Sequence, residues 1–252
     1  MSTEIQASQT TALSTTDWEA KLAGMARDES AKVGANGQFI SFKSGILSIG
    51  QNAVPKNELP CVVIATVDEN LYYEDKYDPD SPKSPVCFAF GEEGEEMVPH
   101  PKAQSPQAES CGACPHNKWG SADSGRGKAC KNSMRLALVP ESAKESVEAM
   151  LGAEVVFAKL PVTSVKNWRT HVQKVAAVFK RPSFGVVTKL FTKPDIKTQF
   201  KVMFEPMTVI PVTVIPAIME KQALVMDTMC VPYEPNSEEA APKKEAKGGK
   251  KF

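Results

Sequence analysis

The chain has 252 residues, 42% hydrophobic and 24% charged, with 30 basic side chains balanced by 30 acidic ones. That length and composition exclude a collagen-like, wholly disordered or disulfide-scaffold protein and allow one large or two small domains with a real core. No apolar run reaches the ~18 residues a membrane span needs, and the N-terminus lacks a signal peptide's basic-then-apolar order, which predicts a cytoplasmic protein with no membrane partner.

Residues 1–17 are rich in Ser, Thr, Gln and Ala and read as a flexible arm, since so few large apolar side chains cannot offset the entropy of ordering. Trp18, Leu22 and Met25 recur at helical spacing, predicting a short helix over 18–27 with Thr16 or Asp17 as N-cap. The arm and this helix make up 1–37. Strand patterns then occupy 39–42, 46–49, 61–67, 71–74 and 85–90, with 61–67 the buried central strand by its branched residues. From 91 to 133 periodicity vanishes, and a structureless stretch that long needs something other than apolar packing to hold it. Beyond it the pattern predicts a strand at 134–139, a helix over 140–151 and a strand at 154–160. A helix capped by Ser164 follows, with Trp168 on its apolar face, then strands at 184–191 and 200–204 and a last helix over 216–229. Residues 232–252 read as a disordered tail. Many short strands and two to three helices predict a mainly β fold over 38–231, a small barrel or curled antiparallel sheet with a pinned loop at 87–133.

The balanced charge hides two opposed segments. Residues 68–109 hold eleven acidic residues against three lysines, whereas 159–201 hold ten basic residues against Asp195 alone. The segment 111–135 adds Lys118, Arg126, Lys128, Lys131 and Arg135 against Asp123. Such blocks present a positive surface to a polyanion, or else are simply solvated faces.

Of the six cysteines, three lie within 20 residues of one another, as Cys111-Gly112-Ala113-Cys114 followed by Cys130. Cys-x2-Cys turns two thiolates toward one point, with Gly112 relieving the backbone, and a tetrahedral zinc ion needs four donors. Cys87, His100 and His116 are the candidates for the fourth, Cys87 being favoured because His116 lies too close to Cys114. Four protein ligands leave no open position for water, so the expected Zn²⁺ is structural. A redox Cys-x2-Cys lacks its βαβ setting. A zinc deaminase lacks His-x-Glu, and the glycines around Gly125-Arg126-Gly127-Lys128 fail the phosphate-loop pattern in both registers. Cys61 and Cys230 read as small core residues. The loop sets Trp119 among Lys118, Arg126, Lys128 and Lys131, the mix of rings and cations that single-stranded nucleic acid requires, although Trp119 serves equally well as a lid over the metal. Tyr72 and Tyr73 point to opposite faces, so one ring must lie outside or at a cleft.

The residues Pro85-Val86-Cys87-Phe88, Ser105-Pro106-Gln107, the run CGACPHNKWGSADSGRGKACKNSMRLALVP from Cys111 to Pro140, LPVTSVKNW from Leu160 and GVVTKL from Gly185 resemble a family of bacteriophage single-stranded DNA-binding proteins. The resemblance spans roughly 38–210 and implies an OB-like barrel with an inserted zinc loop whose ligands are Cys87, Cys111, Cys114 and Cys130. Two features depart from that family: the segment after Cys87 is more acidic, and the terminal Phe252 follows Lys250 and Lys251 rather than an acidic tail. The expected function is sequence-tolerant, non-enzymatic binding of single-stranded DNA in phage replication or recombination. The expected contacts are Tyr73, Lys118, Trp119, Arg126, Lys128 and Lys131, with Arg135, Lys166, Arg169, Lys189 and Lys193. The acidic 68–109 segment is expected to stay off the DNA path or to screen the empty groove. A protein-docking module of a replication complex and a metal-dependent nuclease are the alternatives, and replication or recombination proteins and a second copy of the chain are possible partners.

Overall fold

The branched residues Val62, Val63, Ile64 and Val67 belong to one strand that organises the rest. The computed structural model describes residues 39–75, 83–92 and 96–233, with Trp18, Lys21, Leu22 and Met25. Among the described residues nine strands run in chain order: β1 Phe39–Ser41, β2 Ser48–Ile49, β3 Asn52–Ala53, β4 Glu58–Tyr72, β5 Cys87–Gly91, β6 Lys131–Pro140, β7 Val156–Leu160, β8 Val186–Asp195 and β9 Gln199–Val209. They form a single sheet in the order β3-β2-β1-β7-β6-β4-β8-β9, with β5 also paired to β4. β4 is central: β6 flanks it from Cys61 to Leu71, β8 takes its first residues and β5 its last. The two strands expected at 61–67 and 71–74 are therefore one, because the intervening Glu69 and Asn70 are buried with partners instead of turning the chain.

The expected antiparallel arrangement is corrected at one seam. β1 runs parallel to β7, with Phe39 opposite Phe157, since strands so far apart in sequence have no hairpin turn to set their direction. The first strands also bend back toward β8 and β9: the Asn57 amide donates to the Gly45 carbonyl at 2.9 Å, and Gly45 packs so closely on Phe200 that an added Cβ would sit 3.2 Å from that side chain. At φ +76° Gly45 also occupies the left-handed region. The sheet thus curls into a half-barrel.

A register shift between Val63 and Ala65 reverses the side-chain parity of β4. Val62 and Ile64 before the shift and Val67 after it share one core with Met150, Ile218 and Val225. Val63, Leu136, Leu138 and Leu190 share the other with Leu47, Val165 and Trp168. Three helices supply these partners: α1 Val147–Gly152, α2 Val162–Phe179 and α3 Ile215–Met229. The helix expected over 140–151 divides, with a 3-10 turn at Glu141–Glu145 before α1, because the Ser146 hydroxyl accepts the Ala149 N–H at 3.0 Å and starts a new helix there. Ser164 is not the cap of α2. Pro161 occupies that position, and the buried Ser164 hydroxyl accepts the Val202 N–H at 2.9 Å, tying α2 to β9.

By contacts the chain divides into two units, 1–37 and 38–252. In the first, Trp18, Lys21, Leu22 and Met25 are helical, and Trp18, Leu22 and Met25 are exposed. The arm before Asp17 with its cap residues, residues 76–82 and the expected tail from 234 lie outside the described residues. Among those described, no helix is long and apolar enough to cross a membrane.

Candidate functional site

The register of β4 brings the ends of the pinned loop together. Cys87 opens β5 opposite Tyr72, while Lys131, directly after Cys130, opens β6 opposite Leu71. Between them, residues 96–130 carry only a 3-10 turn at Pro115–Asn117. Backbone hydrogen bonds tack this loop down: His100 N–H to Phe88 O at 2.8 Å, Ser105 N–H to Val86 O at 2.9 Å, Cys111 N–H to Met97 O at 2.7 Å and Cys130 N–H to His116 O at 2.9 Å. Cys87, Cys111, Cys114 and Cys130 all border one cavity of about 20 Å³ between Asn70, Tyr72 and Asn117. Burial first, then the neighbouring thiols Cys111, Cys114 and Cys87, push the Cys130 thiol up to about 12. The other two candidate ligands are engaged elsewhere: His116 stacks on Tyr72 with ring centroids 4.2 Å apart, and His100 on Phe88 at 5.0 Å. Among the described residues no group of three or more His, Cys, Asp or Glu is set to hold a metal ion. The four cysteines line one void, but among the described residues they make no ready metal-holding group. Gly112 is not under the backbone strain expected of it, since its φ is not positive.

Beside this lobe the sheet carries a series of clefts. The first, about 490 Å³, lies between the loop and α2, where Lys128 faces Lys166 and Arg169 across Asp68, Asn70 and Asn132. The second, about 470 Å³, shares Ser133 and Val162 with the first and holds Lys43, Lys131 and Lys159 beside Tyr73 and Phe200, with no acidic residue in its lining. The third, about 670 Å³, shares Tyr73 and Lys131 with the second but is lined by Glu74, Asp75 and Asp123. The first two therefore form the cationic stretch and the third is its acidic end. Part of the acidic segment borders the clefts: Asp68 pairs with Arg169 at 3.2 Å inside the first.

A line of amides couples the loop to the first cleft. Asn117 donates to the Cys111 carbonyl at 2.8 Å, and its own oxygen accepts Lys128 Nζ at 3.0 Å and Asn132 Nδ2 at 3.1 Å. Asn132 also donates to Asn70. Lys128 is thus positioned by the same residue that braces Cys111.

The structure brings together Tyr73, Lys128, Lys131, Lys166 and Arg169 of the expected contacts. It does not bring Arg135 to the surface. That guanidinium is 6% exposed and holds Glu69, itself fully buried, through Nε at 2.7 Å and Nη2 at 2.6 Å. Lys159 at 3.0 Å, the Ser133 hydroxyl at 2.7 Å and the Tyr233 hydroxyl at 2.7 Å complete the shell of Glu69. Burial alone would raise the Glu69 carboxyl, yet Lys159 and Arg135, with the Tyr233 and Ser133 hydrogen bonds, outweigh it and hold the carboxyl below its ordinary value. Lys189 is engaged by Glu205 at 2.9 Å and Glu58 at 3.7 Å, and neither it nor Lys193 lines the clefts. Lys118, Trp119 and Arg126 lie on the outer loop, where Trp119 is 81% exposed and so is no lid over the cysteines. Sequence reading missed Lys43, Lys159 and Phe200. Lys159 was visible as a basic residue, but nothing in the pattern set it in a cleft. Cys61 is a core residue as expected, with its thiol pushed up to about 12 by burial, and Cys230 is half-buried.

Comparison with protein-family models, curated proteins and solved structures found no match to this chain. The fold and site define a mainly β protein, a curled mixed sheet carrying a cysteine-bearing loop and a cationic double cleft.

Proposed function

We propose that this chain binds single-stranded DNA without sequence preference, using the half-barrel as an OB-like platform and the loop, closed on a structural Zn²⁺, as one wall. The observation that carries the reading is the pair of adjoining clefts, in which cations from the loop, the sheet and α2 converge beside the rings of Tyr73 and Phe200. Cations replace the counterions of a phosphate backbone, and rings accept bases of any identity. Lys128, Lys166 and Arg169 meet phosphates in the first cleft, with phosphate competing with Asp68 for Arg169. Lys43 and Lys131 meet them in the second, where Lys159 stays paired with Glu69. The carboxylates of the third cleft turn the strand away. Zinc is supported by the donor chemistry and by the single void the four cysteines share; bound there as thiolates, they would supply a closed, non-catalytic site.

Anisotropy of a labelled oligo-dT tests the reading. Log affinity falls linearly with log salt, and Lys166→Ala reduces the magnitude of that slope by about one, as loss of a phosphate contact requires. No measurable binding at low salt overturns it. A second reading rests on the exposure of Trp119 away from the clefts: the loop apex docks a protein of the replication machinery. Trp119→Ala then leaves oligo-dT affinity unchanged, whereas a stacking role costs about 1 to 3 kcal/mol of binding.

A further inference from the structure

The β8–β9 ribbon outruns the sheet that bears it. β4 pairs with β8 only from Phe191 to Thr188, so beyond Phe191 the pairs from Thr192–Val202 to Asp195–Gln199 have only each other as strand partners. The root of this arm is clamped, with the Asn57 amide on both the Gly45 carbonyl and the Thr192 hydroxyl. Its tip is fixed as well. The Asp195 carboxylate accepts the Thr198 N–H at 3.0 Å and the Thr198 hydroxyl at 2.7 Å, Lys201 Nζ lies 2.8 Å from its other oxygen, and Gln199 takes the left-handed conformation that closes the turn at φ +65°. On this braced turn stands Ile196, fully exposed at 105% relative accessibility, between Lys193 and Lys197.

Turns favour Gly, Asn, Asp and Ser, and a branched aliphatic side chain placed there gains nothing from water. Its value lies in what it enters, and a tip already held rigid loses little freedom in entering. The flanking lysines select a polyanion. Apolar wedges of this kind, set beside cations, part stacked base pairs. The arm also stands at one end of the cationic stretch, because Phe200, opposite Pro194 in the ribbon, lines the second cleft with Lys43.

We propose that Ile196 is a wedge that enters the base stack of duplex DNA where the duplex adjoins a single strand lying in the clefts, so that the protein prefers single-strand to duplex junctions. The inference rests on the single-strand reading above. The test uses the full chain, an oligo-dT, and a hairpin duplex with a dT overhang carrying 2-aminopurine at the first duplex step. Wild-type protein is expected to bind the overhang substrate about tenfold tighter than oligo-dT, as burial of one aliphatic side chain implies, and to raise the 2-aminopurine fluorescence. Ile196→Ser abolishes both effects while oligo-dT affinity and Tm stay at wild-type values, and Ile196→Met restores them in part. Oligo-dT binding without junction preference in the wild type, or junction effects that survive Ile196→Ser, overturns the wedge and leaves the single-strand reading standing. Absence of oligo-dT binding overturns both.

Discussion

Glu69 is a carboxylate removed from water and surrounded by two cations and two hydroxyls, so its worth lies in balance more than in attraction. Glu69→Gln leaves the Arg135 guanidinium buried without its counter-charge. Urea denaturation is expected to show a loss of about 3 to 5 kcal/mol; an unchanged midpoint would mean that the network contributes nothing to the fold. His171 poses the reverse case. Its Nε2 lies 3.0 Å from the Thr188 hydroxyl, its Nδ1 has no partner among the described residues, and burial first, with Lys174 second, lowers it from 6.5 to about 4. Above pH 6.5 the ring is neutral in both states. Between 6.5 and about 4 the unfolded chain takes up the proton and the folded one resists it, so stability falls as pH falls, by on the order of 3 kcal/mol. His171→Gln should flatten that part of a stability–pH profile recorded from pH 4 to 8, and a slope identical to wild type would assign it to another group. Neither role was legible in sequence. Asp68-Glu69-Asn70 read as a break between two strands, because nothing in a single segment announces that Arg135 and Lys159 arrive from two neighbouring strands.

Among the elements, the loop over 96–130 depends most on something outside its own composition. Two backbone hydrogen bonds, to Val86 and Phe88, tie it to the β5 segment, and bonds within the loop and the Asn117 amide brace the rest. If zinc closes it, purified protein contains one metal per chain, and a chelator raises hydrogen exchange at the Cys111 and Cys130 amides while the sheet amides stay protected. Metal-free protein with those amides already protected would remove zinc from the account. The loop was legible because its lack of periodicity and its cysteine spacing are both local signals. The cap of α2 was misjudged for the opposite reason. Ser164 fits a capping pattern, but its hydroxyl is used by Val202, a residue of a later strand that no window around the helix contains.

At the scale of the molecule, the mainly β character and the number of helices followed from period-2 and period-3.6 patterns, whereas the strand order did not. Nor did segment charge sums translate into surface: Arg135, Lys159, Arg169, Lys189 and Lys201 all have acidic partners, and Asp68 lies within the first cleft among its cations. What survives is narrower, a cationic stretch assembled from three separate parts of the chain.

The parallel seam between β1 and β7 carries a temporal cost. During synthesis, Phe39–Ser41 leaves the ribosome long before Val156–Leu160 exists to receive it, on the order of ten seconds earlier at ordinary elongation rates. Throughout that interval the nascent N-terminal third holds an open hydrogen-bonding edge and the unburied side chains of Ile40, Phe42 and Leu47. Such a chain is a natural client for a holding chaperone, and its maturation is expected to be slow and sensitive to crowding by its own siblings.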